Sequence, residues 1–427
     1  TTPPCTPART ALLTGLAPWN HGMLHMVGMG AKYPFTKPQA LRDAGYYTMG
    51  IGKMHYNPQR ALHGFHQTLL DESSRAVTPE FRSDYRAWFY SQAPHLNPDA
   101  TGVGFNDYPA KAYVLPENLH PTYWTGQSAV NFLNGYNRPE PFFLKVSFAR
   151  PHSPYDPPQR FMVKYRDANL PKASVGKWAA KFEKRNSDKD DIWCGALGEQ
   201  QIRSSRQGYY GSISFVDEQI GGILEALEKR GWLEETLIVF TSDHGDMTGD
   251  HNLWRKSYAY EASARIPMAM RWPKGLVSAN RGQVIDKPVE LRDILPTFLD
   301  AAASAPKNKL DGASLLNLAR NKNAEWRDAI DLEHGVCYSI ENNWNAFTDG
   351  KTKYIYHAYH GQEQLFDLAN DPGEINDLAA ASTAEPLLRR WRQRMTNHLE
   401  IRGEKWVKGG RLQTRKGPTP RSPNFPA

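Results

Sequence analysis

The clearest hydrophobic pattern lies in the middle of the chain. Between residues 212 and 229, apolar side chains recur every three or four positions, which predicts a helix with one buried face. Residues 236–241 then read Thr-Leu-Ile-Val-Phe-Thr, and an apolar run of this kind predicts a buried strand. A helix that leads into such a strand is typical of an α/β sheet covered by helices on both faces.

The same patterns predict elements on either side of this pair. Helices are predicted over residues 7–14, 38–44, 122–134 and 291–302, the first ending at Gly15 and the last interrupted near Pro296. Strands are predicted over residues 46–51 and 142–148, the second as a buried strand. Residues 72–125 and 172–200 are polar or irregular, and we expect the first of these segments to be an insertion that faces the substrate.

The pattern changes in the last third of the chain. Residues 337–347 and 353–357 are strand-like, and Asp349-Gly350 between them predicts a hairpin. A final amphipathic helix is predicted over residues 384–400, with an apolar face formed by Leu387, Leu388, Trp391, Met395 and Leu399. We therefore predict a large domain over residues 1–310, a smaller α+β subdomain over residues 311–400, and a basic, flexible tail over residues 401–427.

Composition and charge limit the class of protein. The 427 residues are 40% hydrophobic and 23% charged, and no apolar run approaches the roughly 20 residues that cross a bilayer, so we predict no membrane span. Three cysteines, Cys5, Cys194 and Cys337, cannot form a disulfide framework. The net charge of +7 lies partly in the solvated tail. A basic surface attracts polyanions, but no nucleic-acid-binding module accompanies this charge, and we predict no such partner.

The densest motif is Cys-Thr-Pro-Ala-Arg-Thr-Ala-Leu-Leu-Thr-Gly, from Cys5 to Gly15. A thiol just before a helix meets free backbone N–H groups that favour an anion, and Arg9 lies one turn further along. Such a thiol has a depressed pKa and is reactive. A small buried cysteine ahead of an ordinary capped helix is the simpler alternative.

Two further segments place a histidine where a ligand is expected. Lys53 and His55 are two residues apart, so in an extended backbone they point to the same side, which suits binding and proton transfer on an anionic ester. His152 follows the strand predicted over residues 142–148, and ligands gather beyond the carboxyl ends of strands in open α/β sheets. A surface lysine near a loop histidine and a Pro-rich turn with an incidental histidine are the alternatives.

Asp243 and His244 follow the strand predicted over residues 236–241, in Thr-Ser-Asp-His-Gly-Asp. A carboxylate at a strand end beside a second donor is how proteins hold a hard cation, and an N-cap or turn cluster is the alternative. The next segment, Gly-Asp-His-Asn-Leu-Trp-Arg-Lys at residues 249–256, is a polar loop when taken alone.

Taken together, these motifs resemble the sulfatase family, the formylglycine-dependent branch of the alkaline phosphatase superfamily. The matching elements are Cys-x-Pro-x-Arg with Leu-Thr-Gly, Gly-Tyr-x-Thr with Gly-Lys-x-His, Pro-His-x-Pro-Tyr, Asp-His-Gly, and Gly-Asp-His with a later Lys and Tyr-Glu. Leu-Phe-Asp-Leu at residues 365–368 resembles the family's C-terminal stretch, so the likeness extends from residue 1 to about residue 400. It implies an α/β fold with a large mixed, mostly parallel sheet sandwiched by helices, and a smaller C-terminal α+β subdomain.

For the nucleophile, the resemblance implies that a formylglycine-generating enzyme oxidises Cys5 to formylglycine, and Arg9 belongs to the signature that directs this change. The hydrated aldehyde is then the attacking group. Lys53 contacts the sulfate and the formylglycine, and His55 accepts a proton from the diol.

For the other residues, the resemblance implies that His152 binds the sulfate and assists protonation of the leaving group, and that Lys256 contacts the sulfate and the leaving oxygen. Asp243 binds a divalent metal, Ca²⁺ by preference, and polarises the attacking hydroxyl. His244 takes the position where many sulfatases place Asn, and we assign it as a second metal ligand. Asp246 is assigned to the turn, and His251 to the surroundings of the site.

The chain departs from the family at its start. Sulfatases also hold the metal with an acidic pair upstream of the cysteine, whereas only four residues precede Cys5 and none is acidic. Two metal ligands therefore have no counterpart, and hard cations need about six oxygen ligands. We expect an N-terminally incomplete copy that lacks its first strand, folds badly and turns over slowly; a degenerate relative is the alternative.

These observations predict a hydrolase of sulfate esters that acts on a sulfated carbohydrate or an aryl sulfate. A phosphate or phosphonate monoester hydrolase of the same superfamily is one alternative, because tetrahedral anions look alike to such a site. A non-catalytic binder of sulfated glycans is the other, given the missing acidic pair. Localisation stays open, with a periplasmic or secreted protein as the expectation.

Overall fold

The computed structural model describes residues 3–26, 28–30, 32–73, 75–279 and 281–426. In these residues the helices are α1 (Cys5–Thr14), α2 (Pro18–His21), α3 (Lys37–Asp43), α4 (Asp84–Gln92), α5 (Pro121–Gly135), α6 (Gln159–Lys164), α7 (Glu199–Lys229), α8 (Glu261–Ala264), α9 (Ile294–Ala301), α10 (Leu315–Arg320) and α11 (Glu385–Glu400). The strands are β1 (Tyr47–Gly52), β2 (Gln67–Leu70), β3 (Phe142–Ser147), β4 (Ile238–Thr241), β5 (Met268–Arg271), β6 (Ile330–His334), β7 (Trp344–Thr348), β8 (Thr352–His357), β9 (Gln362–Asp367), β10 (Val407–Lys408) and β11 (Arg411–Leu412). Short 3-10 turns lie at Glu117–Leu119, Lys177–Phe182, Asp250–Asn252, Leu291–Asp293 and Ser382–Ala384.

The large domain is organised around a three-stranded parallel sheet with β1 between β2 and β3. Met49 and Ile51 of β1 point to one face and pack on Ala129 of α5, in an apolar cluster that also includes a residue of α7. On the other face of the sheet, Phe143 of β3 packs edge-on against Phe298 of α9. Helices therefore cover both faces, and the predicted α/β fold class is confirmed.

A cleft of about 920 Å³ lies between β3 and β4, and side chains of both strands line it. β4 pairs antiparallel with β5 in a separate small sheet. The side chains of β3 and β4 are mostly half-buried, and Phe240 is 47% exposed. The prediction that both strands are buried is therefore wrong. Each of them has only one strand partner among the residues described, and the cleft lies along its other side.

The C-terminal sheet is antiparallel, in the order β6–β7–β8–β9. The hairpin predicted at Asp349-Gly350 is confirmed, since Thr348 pairs with Lys353 across it. β7 is shorter than the strand predicted over residues 337–347, because residues before it form turns. One face of the sheet packs on α11, and the other packs on residues 247–260 of the large domain. The sheet therefore packs against, and stabilises, the loop that contains Lys256.

α1 begins two residues earlier than predicted, so Cys5 lies inside its first turn. It ends at Gly15, whose φ of 69° suits a left-handed C-cap. Residues 72–125, predicted to be irregular, contain α4, which buries Tyr85 and Phe89. Pro296 lies in the first turn of α9 and does not interrupt it, because the first N–H groups of a helix have no intrahelical partner.

α7 extends well before residue 212, where the apolar pattern begins. Its first half is polar, but it buries Arg206 and Gly208 against neighbouring loops. Arg206 donates to the carbonyl of Pro171 and to Asp250, so tertiary contacts stabilise a part of the helix that periodicity misses. Across the described ranges, no helix has both the length and the apolar surface needed to cross a membrane.

Residues 401–427, predicted to be a flexible tail, pack on the rest of the molecule where they are described. β10 and β11 form a small hairpin. The guanidinium of Arg415 lies 4.0 Å from the ring centre of Trp406, and Ser422 Oγ donates a hydrogen bond to the carbonyl of Trp19. A cation that lies over an aromatic ring is stabilised there, which the charge composition of this segment does not indicate.

Candidate active site

Five segments bring polar side chains together at one end of the parallel sheet. Cys5 lies in the first turn of α1. Lys53 follows β1, His152 follows β3, and Asp243 follows β4. Lys256 comes from the loop between β4 and β5. Three of the five segments are carboxyl ends of strands, which is where an α/β sheet is expected to bind its ligand.

Arg9 forms hydrogen bonds that connect α1 to the ends of three strands. Its Nε donates to Asp243 Oδ2 at 2.7 Å, and its Nη1 donates to the carbonyl oxygen of Lys53 at 2.6 Å and to Ser147 Oγ at 3.1 Å. The residue is 7% exposed. Because two of its three nitrogens are engaged in this way, Arg9 holds the strand ends in register with α1.

Cys5, His244 and Asp243 form the centre of the site. Cys5 Sγ lies 2.9 Å from His244 Nε2, which in turn lies 3.8 Å from Asp243 Oδ1. His244 Nδ1 lies 2.7 Å from the carbonyl oxygen of Gly245. A carbonyl can only accept, so Nδ1 carries a proton and Nε2 is the atom that exchanges protons with residue 5.

The surrounding charges act strongly on all three groups. Burial acts to lower the pKa of His244, but the charges of Asp243 and Cys5 outweigh it and raise that pKa. Burial disfavours a thiolate, but the charges of His244, Lys256 and Lys53 outweigh it and hold the pKa of Cys5 well below its usual value. Burial likewise opposes ionisation of Asp243, yet the cations beside it hold the pKa of that carboxyl below its usual range. At neutral pH the site therefore stabilises negative charge at both positions.

Lys53 is 2% exposed, and burial lowers its pKa. Its Nζ lies 5.7 Å from the centre of the Phe105 ring. Gly52 just before it has a φ of 92°, and a Cβ there would lie 2.2 Å from the carbonyl oxygen of Ser147. Only glycine therefore allows the chain to leave β1 at this point and turn Lys53 into the site.

His152 and Lys256 form a hydrogen-bonded pair. Lys256 Nζ lies 2.7 Å from His152 Nε2, and His152 Nδ1 lies 2.8 Å from the carbonyl oxygen of Ser153. Burial, together with the charges of Lys256 and Lys53, holds the pKa of His152 well below its usual value. His152 is thus neutral, with its proton on Nδ1, and its Nε2 accepts from the ammonium. The Phe105 ring stacks on it, with ring centres 4.6 Å apart.

His55 follows Lys53 into the site on a buried backbone. Glu72 Oε1 accepts from the N–H groups of Met54 and His55, at 3.0 and 2.8 Å. Burial lowers the pKa of His55, while the charge of Cys5 acts in the opposite direction. The imidazole is therefore near enough to feel the charge at position 5, and its Nδ1 has no hydrogen-bond partner among the described residues.

Asp246 and His251 have other surroundings. Asp246 accepts from the backbone N–H groups of Thr248 and Arg255, so it holds the turn together. His251 packs against Trp178, with ring centres 4.5 Å apart. These contacts place both residues in the support of the loop that leads to Lys256.

Sequence reasoning missed three residues of this site: Ser147, Phe105 and Glu72. Ser147 closes the apolar run of β3, and a polar residue at a strand end is a usable signal. Phe105 and Glu72 lie in residues 72–125, where no periodicity singles out a position. Their roles depend on contacts across the fold.

The site carries more positive than negative charge. Lys53 and Lys256 are almost fully buried near Cys5, whereas Asp243 is already paired with Arg9. Buried cations without a carboxylate partner favour an anionic ligand with several acceptor oxygens. A nucleophile at the centre of such a pocket suits attack on a tetrahedral anion.

Cys5, Asp243 and His244 are also close enough to hold a metal ion, with one potential ligand atom from each lying within 4.8 Å of the others. This set contains a single carboxylate, and one of its oxygens accepts from Arg9. Ca²⁺ takes about six to eight oxygen ligands. The residues of the described ranges thus supply part of a calcium shell and do not fit calcium by themselves.

The chain matches known protein families along most of its length. Residues 1–304 match the sulfatase model, and residues 249–400 match the model of the C-terminal part of N-sulphoglucosamine sulphohydrolase. An arylsulfatase of Clostridium perfringens is 37% identical over 425 residues, covering 96% of this chain and 87% of that protein. A choline-sulfatase of Rhizobium meliloti is 30% identical over 402 residues, covering 88% of this chain and 73% of that protein.

Solved structures share the fold. The phosphonate monoester hydrolase of Agrobacterium radiobacter has a TM-score of 0.76 at 24% identity and covers 94% of this chain and 87% of that chain. A protein solved in complex with its substrate D-glucosamine-2-N,6-O-disulfate has a TM-score of 0.72 at 20% identity and covers 92% and 87%. At these identities the likeness concerns the fold alone.

Proposed function

The chain belongs to the sulfatase family and is an enzyme that hydrolyses sulfate esters, and from that premise we propose that it acts through formylglycine at position 5. The observation that carries the proposal is the surplus of buried cations around Cys5, where Lys53 and Lys256 face the nucleophile without a carboxylate partner in the described part of the chain. In the converted protein, Sγ of Cys5 marks the place of the two hydroxyl oxygens of the hydrated aldehyde.

In the first step, one hydroxyl oxygen attacks the sulfur of the ester, and the bond between sulfur and the alcohol oxygen breaks. The diol that replaces Cys5 carries no charge, so the converted protein lacks one of the two charges that raise the pKa of His244 and leaves a neutral imidazole to act as the base. The hydroxyl proton passes to its Nε2, which lies 2.9 Å from Cys5 Sγ. Asp243 stabilises the imidazolium that results. Asp243 does not take the proton itself, because the Arg9 ion pair and other cations make that carboxylate a weak base.

Lys256 supplies the proton to the departing alcohol oxygen. His152 is neutral with its proton on Nδ1, so its Nε2 has none to give and instead accepts from Lys256 Nζ. We therefore assign His152 to the orientation of the ammonium. Lys53 and Lys256 also stabilise the charge on the sulfate oxygens in the transition state.

In the second step, the sulfate ester on residue 5 collapses. The remaining hydroxyl gives its proton to His55, its oxygen forms a double bond to carbon, and the bond from that carbon to the sulfate oxygen breaks. Sulfate leaves, and water hydrates the aldehyde to restore the diol. A displacement at sulfur followed by an elimination at carbon thus replaces one direct hydrolysis by water.

A divalent cation, calcium by the family resemblance, stays in the proposal with Asp243 and His244 as its ligands. Bound there, it would add positive charge beside the sulfate oxygens. The described residues supply only part of a calcium shell, and His244 Nε2 serves either the cation or the proton. Each step is therefore assigned to groups of this chain.

We propose an aryl sulfate or a sulfated carbohydrate as the substrate and a formylglycine-generating enzyme as the partner that matures Cys5. Phe105 lies against His152 and near Lys53, at the side of the sulfate site. Its ring offers an apolar surface on which an aryl group or a sugar ring can stack. The similarity to an arylsulfatase supports this substrate class.

The proposal is tested on protein coexpressed with a formylglycine-generating enzyme. Mass spectrometry of the peptide with residue 5 is expected to find the aldehyde, and p-nitrophenyl sulfate is expected to be cleaved faster than p-nitrophenyl phosphate. Cys5→Ala should lower kcat/KM by at least about 10⁴-fold. Cys194→Ala, a buried cysteine of another cluster, is the matched control and should stay active.

Two results would redirect the proposal. An unconverted thiol at residue 5 under these conditions supports the binder of sulfated glycans. A strong preference for the phosphate ester supports a phosphoester hydrolase.

A further inference from the structure

We propose that Glu72 is a positioning residue for His55, whose carboxylate fixes the backbone so that the imidazole reaches the group at position 5. The inference rests on the proposed function, in which His55 accepts the proton when the sulfated intermediate collapses. Glu72 thereby controls the second step of the reaction more than the first.

The first argument is the need for acceptors in a buried segment. The chain leaves β1 at Gly52, so Met54 and His55 are beyond the ladder of the parallel sheet. Met54 is fully buried, and His55 is 6% exposed. A buried N–H group without an acceptor costs about 1–3 kcal/mol. Both N–H groups converge on one oxygen, Glu72 Oε1.

The second argument is the backbone conformation of His55. Its φ is 62°, in the left-handed region that residues with a Cβ avoid at a cost of about 1–2 kcal/mol. This conformation determines the direction of the ring. Hydrogen bonds to a charged acceptor are about twice as strong as those between neutral groups. The Glu72 carboxylate can therefore stabilise a left-handed backbone conformation that His55 would not adopt by itself.

The third argument is that Glu72 is itself fixed. It is 1% exposed, and its Oε2 forms an ion pair with Arg75 Nη2 at 2.5 Å. Burial opposes its ionisation, but Arg75 and His55 lower the pKa of Glu72, so it is a carboxylate at neutral pH. The N–H of Asp71 donates to the carbonyl of Gly52, which joins this segment to the end of β1.

These contacts predict a specific kinetic defect in Glu72→Ala. The two N–H groups lose their acceptor, His55 relaxes, and the collapse of the intermediate slows. We expect kcat to fall by about 10²-fold, because a misplaced catalytic group loses about that much. kcat/KM for p-nitrophenyl sulfate reports the first step and should change by less than about threefold. Intact-mass analysis during turnover should then find the sulfate ester on residue 5 accumulated.

Two variants separate positioning from a general loss of structure. Glu72→Gln keeps an acceptor oxygen for the two N–H groups and should recover at least about one tenth of wild-type kcat. His55→Ala should accumulate the same intermediate. The double variant should be no slower than His55→Ala, because residues that act through one group are not additive.

Glu374→Ala is the matched control for a buried carboxylate. Glu374 is also 1% exposed and accepts a backbone N–H, from Glu261 at 2.7 Å. Its loss should lower the melting temperature without accumulation of the intermediate. If Glu72→Ala does not fold, Glu72→Asp, which withdraws the oxygens by one methylene, is measured in its place.

The proposal is overturned if the Glu72 variant loses kcat and kcat/KM equally and no intermediate accumulates. A wild-type protein without aldehyde at residue 5, or without turnover, contradicts the proposed function instead. The two failures are therefore distinguishable in one set of measurements.

Discussion

Two buried clusters of charge in this protein are built in opposite ways. At the C-terminal sheet, Lys353 is fully buried, and its Nζ lies 2.7 Å from Glu261 Oε1 and 2.9 Å from Glu374 Oε1. At the reaction centre, Lys53 and Lys256 are nearly as buried, but neither forms an ion pair with a carboxylate in the part of the chain that the structure describes.

The difference shows in the pKa of Lys353 and Lys53, whereas burial of Lys256 is outweighed by Tyr338, Cys5 and Asp246, which raise its pKa. Burial lowers the pKa of a lysine, yet Glu374 and Glu261 outweigh burial and raise that of Lys353. For Lys53, burial prevails and its pKa is lowered. Where a buried cation has its own carboxylate partners, those partners offset the cost of burying it, whereas a buried cation without them is stabilised by an anion that binds to the folded state. The first cluster therefore serves stability and the second serves binding.

The largest effect is expected in the cluster around Lys353. Lys353→Met leaves the buried Glu374 and the half-buried Glu261 without their cation, and loss of one partner of a buried ion pair costs about 3–5 kcal/mol. We expect this decrease in the free energy of unfolding, measured by urea denaturation. Turnover of the folded fraction should be retained, because the ion-pair partners of Lys353 are Glu261 and Glu374, which have no part in the proposed reaction.

Lys351→Met is the control, since Lys351 is exposed on the same hairpin. It should leave the free energy of unfolding nearly unchanged. If Lys353→Met is as stable as the wild type, the cluster does not stabilise the fold and the comparison fails.

Lys53→Met, in contrast, is expected to lose activity and to keep its stability. The variant removes a cation that stabilises charge on the sulfate oxygens, so kcat/KM for p-nitrophenyl sulfate should fall by about 10²- to 10³-fold. Its free energy of unfolding should be unchanged or higher, because the pKa of Lys53 is lowered in the folded state and its charge therefore opposes folding. Steady-state kinetics and urea denaturation on one preparation measure both.

Lys111→Met, at an exposed position, is the control and should change neither quantity. A Lys53→Met protein that loses stability and activity in proportion would mean that both clusters serve the fold.

The sequence predicts the two clusters unequally. Cys5, Lys53, His152 and Asp243 are found because each lies at a helix start or just after a strand, within a recognisable motif. The partners of Lys353 join three distant segments, and no local pattern pairs them. Short-range motifs therefore reveal the reacting groups, while the groups that hold them in place depend on tertiary contacts.

The fold shows the same limit. Periodicity predicts most helices and strands of the large domain, since it reports which side of an element is apolar. It does not report which neighbour covers that side, so β3 and β4 are predicted as buried although they line a cleft. Likewise, the polar start of α7 is helical because Arg206 finds distant partners.

The smallest effect is expected from protonation of a buried histidine in the C-terminal sheet at acidic pH. His334 ends β6, is 1% exposed, and among the described residues neither of its ring nitrogens has a hydrogen-bond partner. Burial lowers its pKa to about 3. The unfolded chain binds the proton near pH 6.5, so stability is complete above that pH and is lost as the pH falls toward about 3. At about pH 5, His334 alone should cost about 2 kcal/mol.

His334→Leu removes the titrating ring and keeps an apolar contact with Trp344, on which the ring packs. Urea denaturation of both proteins near pH 7.5 and near pH 5 gives the free energy of unfolding that each loses on acidification. This loss should be about 2 kcal/mol smaller in the variant than in the wild type. His360→Gln, at a more exposed site on the same sheet, should keep the wild-type dependence. If His334→Leu and the wild type lose the same free energy of unfolding on acidification, this sheet accepts an unpaired cation as readily as the reaction centre does. The two regions would then differ only in the ligands that they bind.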